Sequence, residues 1–307
     1  MNASVAVLAG GWSSEREVSL MGSDKITAAL REAGYDVREI DVRRDLPALV
    51  EALTPPPDVV YNALHGPYGE DGCIQGILEC LGVRYTHSGV LASALAMDKP
   101  VAKHLFKTAG IPCPDHRIVT RTEFDSGNRI ELPYVIKPLN EGSSIGVRII
   151  RTEEDVAALG GNEIWTYGSR MMLESFIDGR EITVSVMGEE ALGVTEIRAF
   201  EGFYDYEAKY TEGRAEHLVP APIHADAYAA AMDYAVRAHK ALGCRGISRA
   251  DFVYDDHAGE PGDLFLLEVN TQPGMTPLSL VPEQAAYAGI EFGELVRWMV
   301  ENALCDG

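Results

Sequence analysis

The chain has 307 residues, 46% of them hydrophobic and 24% charged, the proportions of a soluble globular protein. That length exceeds one ordinary core and predicts two or three packed lobes. With 47 acidic residues against 26 basic ones the formal net charge is -21, which repels nucleic acid and anionic lipid and argues against either as a partner.

The chain opens on Val5-Ala6-Val7-Leu8-Ala9, a short buried-strand pattern ending in Gly10-Gly11. It carries no basic leader and no long apolar run, so neither a signal peptide nor a membrane span is expected, and the cytoplasm is the expected compartment. A helix is predicted from about Val18 to Ala33, with Gly34 closing it. A strand over Val37–Ile40, a short helix over Leu46–Leu53 and a strand over Val59–Leu64 follow, then an amphipathic run over Asp71–Leu81. This alternation predicts a parallel α/β lobe over residues 1–96. Ligands to such a lobe sit at the carboxyl ends of its strands, so Gly10–Glu15 and His65–Asp71 share one rim.

The first boundary falls near Met97-Asp98-Lys99-Pro100, from which a helix runs to Ala109-Gly110 and is broken by Ile111-Pro112-Cys113-Pro114. The next stretch reads as β-rich, with strands over Tyr134–Lys137, Val147–Ile150, Met171–Glu174, Glu181–Met187 and Ala191–Ile197. One short helix is predicted over Glu153–Leu159, and Gly160-Gly161 and Trp165 leave the segment from Ile150 to Met171 irregular. A polar loop spans about Glu201–Leu218, and a long helix covers Ala225–Leu242. Strands over Gly246–Tyr254 and Leu264–Asn270 flank the acidic turn Asp255–Gly262, and a last helix runs from Phe292 to Leu304. The predicted class is α/β and α+β: one parallel lobe, then two mixed lobes over 97–184 and 185–307. The five cysteines, Cys73, Cys80, Cys113, Cys244 and Cys305, form no C-x-x-C pair and read as reduced thiols.

Four constellations carry chemistry. Arg249-Ala250-Asp251 lies on one apolar strand and Glu268-Val269-Asn270 ends the next. If the two strands pair antiparallel, Asp251, Glu268 and Asn270 share a face, because alternate residues do. Hard oxygen ligands of this kind suit magnesium, which takes its other ligands from water and substrate phosphates. Arg249 projects to the same side, where a guanidinium stabilises a transferring phosphoryl group or a tetrahedral intermediate. A solvated acidic edge beside an arginine fits the same string.

In Tyr134-Val135-Ile136-Lys137-Pro138 a lysine sits inside an apolar strand, ahead of Asn140-Glu141-Gly142-Ser143-Ser144-Ile145-Gly146-Val147. An ammonium beside a flexible Gly/Ser loop suits phosphate, and a glycine-rich turn with no ligand is the alternative. There is no G-x-x-x-x-G-K-[ST], which argues against a P-loop, and no G-x-G-x-x-G after the first strand, which argues against dinucleotide binding. The loop Phe203–Tyr210 mixes aromatics and charges like a lid that excludes water, or like an ordinary surface loop. Glu15, where the first strand meets its helix, is either a dipole-favoured cap or a grip for a substrate ammonium. His65 is equally open between structure and chemistry.

Taken together these strings resemble the D-alanine–D-alanine ligases of the ATP-grasp superfamily. The matching strings begin with Gly10-Gly11 through Glu15 to Ser19, Ala63-Leu64-His65-Gly66 and Met97-Asp98-Lys99. Lys137-Pro138, Glu141 through Gly146 and Tyr204 through Tyr210 follow, then Arg249-Ala-Asp251, Glu268-Val-Asn270-Thr271 and Pro273-Gly274-Met275-Thr276, with Ser279-Leu280 close behind. Their order spans nearly the whole chain.

The resemblance implies a two-lobed ATP-grasp fold after the N-terminal lobe, with ATP between the second and third lobes. Lys99 and Lys137 would meet its phosphates, Glu174 and the backbone at Ile177 the adenine, Glu181 the ribose, and Lys209 the γ-phosphate. Asp251, Glu268 and Asn270 would hold two magnesium (or manganese) ions. Glu15 would bind the ammonium of the first D-alanine, Ser279 and Leu280 the second D-alanine, His65 and Gly274 would also bind substrate, and Arg249 would bind substrate and stabilise the anionic intermediate. Ser143 and Tyr210 would complete a network with Glu15. The implied reaction joins two D-alanines through an acylphosphate, for a peptidoglycan precursor, and a homodimer is implied. The family usually carries a lysine after the hinge glutamate, and here that position is Ser175.

Overall fold

The computed structural model describes residues 2–159, 164–200, 214–276 and 279–306. The first lobe runs β1 (Ser4–Gly10), α1 (Arg16–Glu32), β2 (Asp36–Val42), α2 (Leu46–Ala52), β3 (Val59–Asn62), α3 (Cys73–Leu81) and β4 (Arg84–Tyr85). Its sheet has the order β2-β1-β3-β4 and every pairing is parallel. Val5 through Ala9 are fully buried because helices cover a parallel sheet on both faces, which explains their unbroken apolar run. The strand expected to reach Leu64 ends at Asn62. There the Asn62 side chain accepts from the Leu64 N–H at 3.2 Å and turns the chain out of the ladder.

Two helices follow, α4 (Val90–Met97) and α5 (Lys99–Thr108), split by Asp98, whose carboxylate caps α5 at the Val101 N–H. The second sheet contains β5 (His116–Thr120), β6 (Tyr134–Pro138), β7 (Arg148–Ile150) and β8 (Arg170–Ser175), with helices α6 (Arg121–Asp125) and α7 (Glu153–Ala158) between them. Its order is β5-β8-β6-β7, all antiparallel. Neither β5 nor α6 was expected from hydrophobic pattern, although Thr120 and Glu123 form a reciprocal capping box that marks the helix start.

The third sheet holds β9 (Arg180–Met187), β10 (Glu190–Ala199), β11 (Ala215–Leu218), β12 (Ile247–Asp255) and β13 (Asp263–Asn270), in the order β11-β10-β9-β12-β13. Helix α8 (Ala225–Leu242) packs across it, burying Ala227, Ala231, Ala235 and Ala238 at helical spacing. Strand β11 lies in what read as part of a long loop; it pairs with β10 from Glu196↔Leu218 to Ala199↔Ala215.

The chain ends on α9 (Leu280–Tyr287) and α10 (Phe292–Glu301). Helix α9 was not expected, because Pro282 reads as a breaker, yet it falls in the first turn, where no N–H is missed. The last helix stops at Glu301 instead of Leu304, which forms an antiparallel bridge with Tyr85.

The described residues build three sheets. Strand β9 crosses the division at 184/185 and belongs whole to the third sheet. Helix α5 packs its Ala102 and Phe106 into the core shared with α8. The C-terminal helices return to the first lobe: Val281, Leu295, Val296, Met299 and Ala303 share one buried cluster with Val5, Val7, Ile26, Leu30, Val59 and Tyr61.

Candidate active site

A cleft of about 850 Å³ opens between the second and third sheets. Lys137, Glu174, Ser175 and Ile177 line one side of it, and Glu181, Asp251 and Glu268 the other. Strand β6 pairs Val135 with Glu174 on β8, so Lys137 sits diagonal to Glu174 on the same face. Its ammonium donates to Glu174 Oε2 at 2.6 Å. The other carboxylate oxygen of Glu174 meets Lys103, which is fully buried. Burial opposes the charge on Glu174, but Lys137 and Lys103 outweigh it and hold the carboxyl down at about 2. Burial also lowers Lys103, against the pull of Glu174.

The loop joining β6 to β7 carries Ser143, Ser144 and Gly146 at φ 51°, 60° and 71°. A run of left-handed residues turns backbone N–H groups to one concave side, the geometry that suits an anion. Ser143 donates through Oγ to Glu15 Oε1, tying this loop to the first lobe. Lys99, at the start of α5, donates to the carbonyl of Glu141 and lies 3.7 Å from Glu268. Burial shifts Lys99 downward, with Glu268 opposing.

Strands β12 and β13 pair antiparallel with Arg249 opposite Asn270 and Asp251 opposite Glu268, before a bulge shifts the register. Along β12, Ala250 and Phe252 point into the core while Arg249 and Asp251 face the cleft. Arg249 grips Asp251 with two charge-assisted hydrogen bonds, Nε to Oδ1 at 2.8 Å and Nη2 to Oδ2 at 2.7 Å. Thr183 on β9 adds a third donor to Asp251 Oδ1 at 2.6 Å. The donor set of Asp251, Glu268 and Asn270 fits a hard divalent cation: two carboxylates face each other across paired strands, with an amide oxygen next along the same face. Among the described residues no group of three or more His, Cys, Asp or Glu side chains that could hold a metal ion gathers, here or elsewhere; this set has two carboxylates and an amide.

A second, smaller cavity of about 70 Å³ adjoins the cleft. It is lined from the first lobe by Glu15, His65 and Glu70, and from the other lobes by Ser143, Asn270 and Gly274. Lys99, Glu141, Gly142, Arg249 and Glu268 line both cavities. Glu15 is 5% exposed, and His65 bonds Glu70 through Nδ1 at 3.0 Å. Burial pushes His65 down, but the hydrogen bond and charge of Glu70 and the charge of Glu15 win, so its net shift is upward.

Ser279 holds the Thr276 N–H at 2.9 Å ahead of α9, and Leu280 reaches the large cleft from the first position of that helix. Lys209 and Tyr210, with the rest of the expected lid Phe203–Tyr210, lie outside the described residues.

Sequence reasoning missed Lys103, Thr183 and Gln272. Lys103 stands four residues after Lys99 on an amphipathic helix, a spacing that puts both on one face. The signal was present, but a lysine on a helix ordinarily reads as solvated. Thr183 and Gln272 carry no motif; only the fold brings them to the site.

The family model for the D-ala D-ala ligase C-terminus matches residues 105–301, and that for the N-terminus matches residues 44–88. The chain is 58% identical over 301 residues to a D-alanine–D-alanine ligase of Acidiphilium cryptum, covering 98% of each chain. It is 57% identical to one of Parvibaculum lavamentivorans, over 98% of each. Among solved structures, the D-alanine–D-alanine ligase of Bacillus anthracis superposes with a TM-score of 0.85 at 34% identity, over 98% of this chain and 97% of that one. The same enzyme complexed with ATP gives 0.83 at 32%, with the same coverage.

Proposed function

The chain belongs to the D-alanine–D-alanine ligase family, and from that premise we propose that it joins two D-alanines at the expense of ATP, yielding D-alanyl-D-alanine, ADP and phosphate for cell-wall synthesis. The observation that carries the reading is the junction of the two cavities. Lys99, Arg249 and Glu268 line both, so a carboxylate held in the small one meets a phosphoryl donor held in the large one.

Forming an amide from a carboxylate in water is uphill, so the carboxylate is activated first. A carboxylate oxygen of the first D-alanine attacks the γ-phosphorus, the bond to the β-phosphate oxygen breaks, and ADP leaves an acylphosphate. The amine of the second D-alanine, having lost a proton, attacks the acyl carbon, and phosphate departs with the electrons of the broken carbon–oxygen bond. The protein's part is positioning and charge. Glu15, buried with Ser143 on one oxygen, orients the first ammonium. Lys99 and Lys137 offset phosphate charge as the transfer proceeds. Ile177 and Glu181 flank the adenosine end of the cleft, and Glu174 sets the position of Lys137.

Asp251, Glu268 and Asn270 would hold magnesium, which when bound would offset charge on the triphosphate. The bidentate hold of Arg249 on Asp251 keeps a guanidinium at the junction, facing the oxyanion of the second step. Gly274, Ser279 and Leu280 receive the second D-alanine, and Lys209 and Tyr210 act from the lid. The reading includes a cytoplasmic homodimer; among the described residues no helix is long and apolar enough to cross a membrane.

Phosphate release with ATP and magnesium, compared for D-alanine, L-alanine and D-lactate, tests the reading. Release with D-alanine alone is the expected result, and none with D-alanine overturns it. Lys137→Ala should lower turnover by about 10³-fold or more while nucleotide binding persists weakly.

A further inference from the structure

Behind the small cavity runs a buried amide network that lines neither cavity. Strand β3 ends at Asn62, which is fully buried; Gln75 on α3 and Gln272 just after β13 are each 1% exposed. Asn62 Nδ2 donates to the carbonyl of Gly69 at 3.1 Å and to Gln272 Oε1 at 2.8 Å. Gln75 Nε2 donates to the same Gly69 carbonyl at 2.9 Å and lies 3.5 Å from Gln272 Oε1. Gln272 Nε2 in turn donates to the carbonyl of Leu64, the residue before His65. The backbone N–H of Gln272 donates to Asn270 Oδ1 at 2.7 Å. One residue therefore grips the carbonyl at the root of the His65 rim with its side chain and the amide of Asn270 with its main chain.

A buried amide group left unpaired costs about 1–3 kcal/mol, which favours the bonded arrangement of Asn62 and Gln272; within the network Gln75 Oε1 alone has no hydrogen-bond partner among the described residues. The two groups it fixes belong to different lobes, 206 positions apart from Leu64 to Asn270 by residue number. Asn270 lines the small cavity, and so does His65, the residue that follows Leu64.

We propose that Gln272 is a positioning residue for the ligation, locking the His65–Glu70 rim of the first lobe in register with the Asn270 end of β13. The proposal rests on the ligase reading for its catalytic consequence and on hydrogen bonding alone for its structural one. A misplacement of about 1 Å in a reacting pair costs on the order of 10²-fold in rate, which sets the size of effect expected.

Gln272→Met keeps the length of the side chain and removes both its donor and its acceptor. Gln75→Met removes a neighbour in the same network that holds the rim only at the Gly69 carbonyl and makes no hydrogen bond to Leu64 or Asn270. The two variants and the unaltered protein are compared in three ways: steady-state phosphate release; calorimetric binding of D-alanine without nucleotide or divalent cation; and hydrogen exchange at the amides of residues 65–70. Gln272→Met is expected to lose about 10²-fold in kcat/KM for D-alanine with the KM for ATP held within about two-fold, to bind D-alanine more weakly, and to exchange faster over 65–70. Gln75→Met, which releases the rim at Gly69 but leaves the link from Leu64 to Asn270, is expected to lose thermal stability and less than about ten-fold in kcat/KM for D-alanine.

D-alanine kinetics within about two-fold of the unaltered protein in Gln272→Met, or a loss matched by Gln75→Met, overturns the proposal. If Gln272→Met does not fold, Gln272→Asn, one methylene shorter, takes its place with the same criteria. If the unaltered protein releases no phosphate with D-alanine, the ligase reading falls, and exchange over 65–70 alone decides whether Gln272 holds the rim.

Discussion

Lys103 has no exposed surface, and its ammonium is sustainable only because Glu174 meets it. Glu174 in turn is shared with Lys137, so the charge presented to the cleft depends on a residue that never reaches it. Replacing Lys103 with methionine leaves one Glu174 oxygen without its cation. Lys137 is then held more tightly by Glu174 and less available to phosphate. We expect a loss of about 1–3 kcal/mol in denaturant unfolding together with a raised KM for ATP. The pH dependence follows from the same carboxyl. Glu174 is depressed from an ordinary value of 4.5 to about 2. Its contribution to stability is therefore fully present above the unfolded value and is lost as pH falls from about 4.5 toward 2. Acid unfolding followed by circular dichroism should show Glu174→Gln less stable at neutral pH and flatter across that window.

Among the elements, the loop between β6 and β7 is the most constrained in backbone. A Cβ at Gly146 would lie 2.8 Å from the Tyr167 ring and 2.9 Å from Pro138, at a φ of 71°. Gly146→Ala should cost about 1–2 kcal/mol from the left-handed conformation alone, beyond the clash. Because the loop also carries Ser143, the KM for ATP and that for the first D-alanine should rise together, which steady-state kinetics with each substrate varied in turn would reveal.

The same region shows what the sequence made legible. Lys137 inside an apolar strand, and the alternation of Arg249, Ala250 and Asp251, were readable because strand periodicity assigns faces before any partner is known. The opposition of Asp251 to Glu268 followed once the two strands were paired. Strands β5 and β11 were not readable. Short edge strands with mixed exposure carry little hydrophobic alternation, and their identity comes from the neighbour that completes the ladder. Lys103 escaped for a related reason: burying a lysine depends on a carboxylate 71 positions later in the chain, which no local pattern contains.

For the whole molecule, the decisive fact is that the first lobe is not made of its own sequence alone. One face of its sheet is covered by residues from α9 and α10, with Met299 set against Tyr61, whose hydroxyl lies 3.2 Å from the methionine sulfur. A fragment of residues 1–96 keeps Val5, Val7, Val59 and Tyr61 under Ile26 and Leu30 of α1 but exposes to water the part of that face that α9 and α10 cover. At about 25 cal/mol per Å² of apolar surface, such a loss exceeds what a domain of that size has in reserve. The fragment should show no cooperative thermal transition in calorimetry, whereas the full chain should. Arg245 reinforces the closure, stacking over Tyr85 at 4.7 Å from the ring centroid and donating to the carbonyl of Leu304 at 2.9 Å.

That return of the chain has a consequence for synthesis on the ribosome. Every cleft-lining side chain named above has emerged by Leu280, the first residue of the segment that seals the starting lobe, so a nascent chain holds its nucleotide-facing half in sequence while its amino-acid-facing half still lacks a wall. Products of early termination anywhere beyond Leu280 would carry the whole catalytic inventory on a partly bare sheet, and quality-control proteases should clear them before they consume ATP.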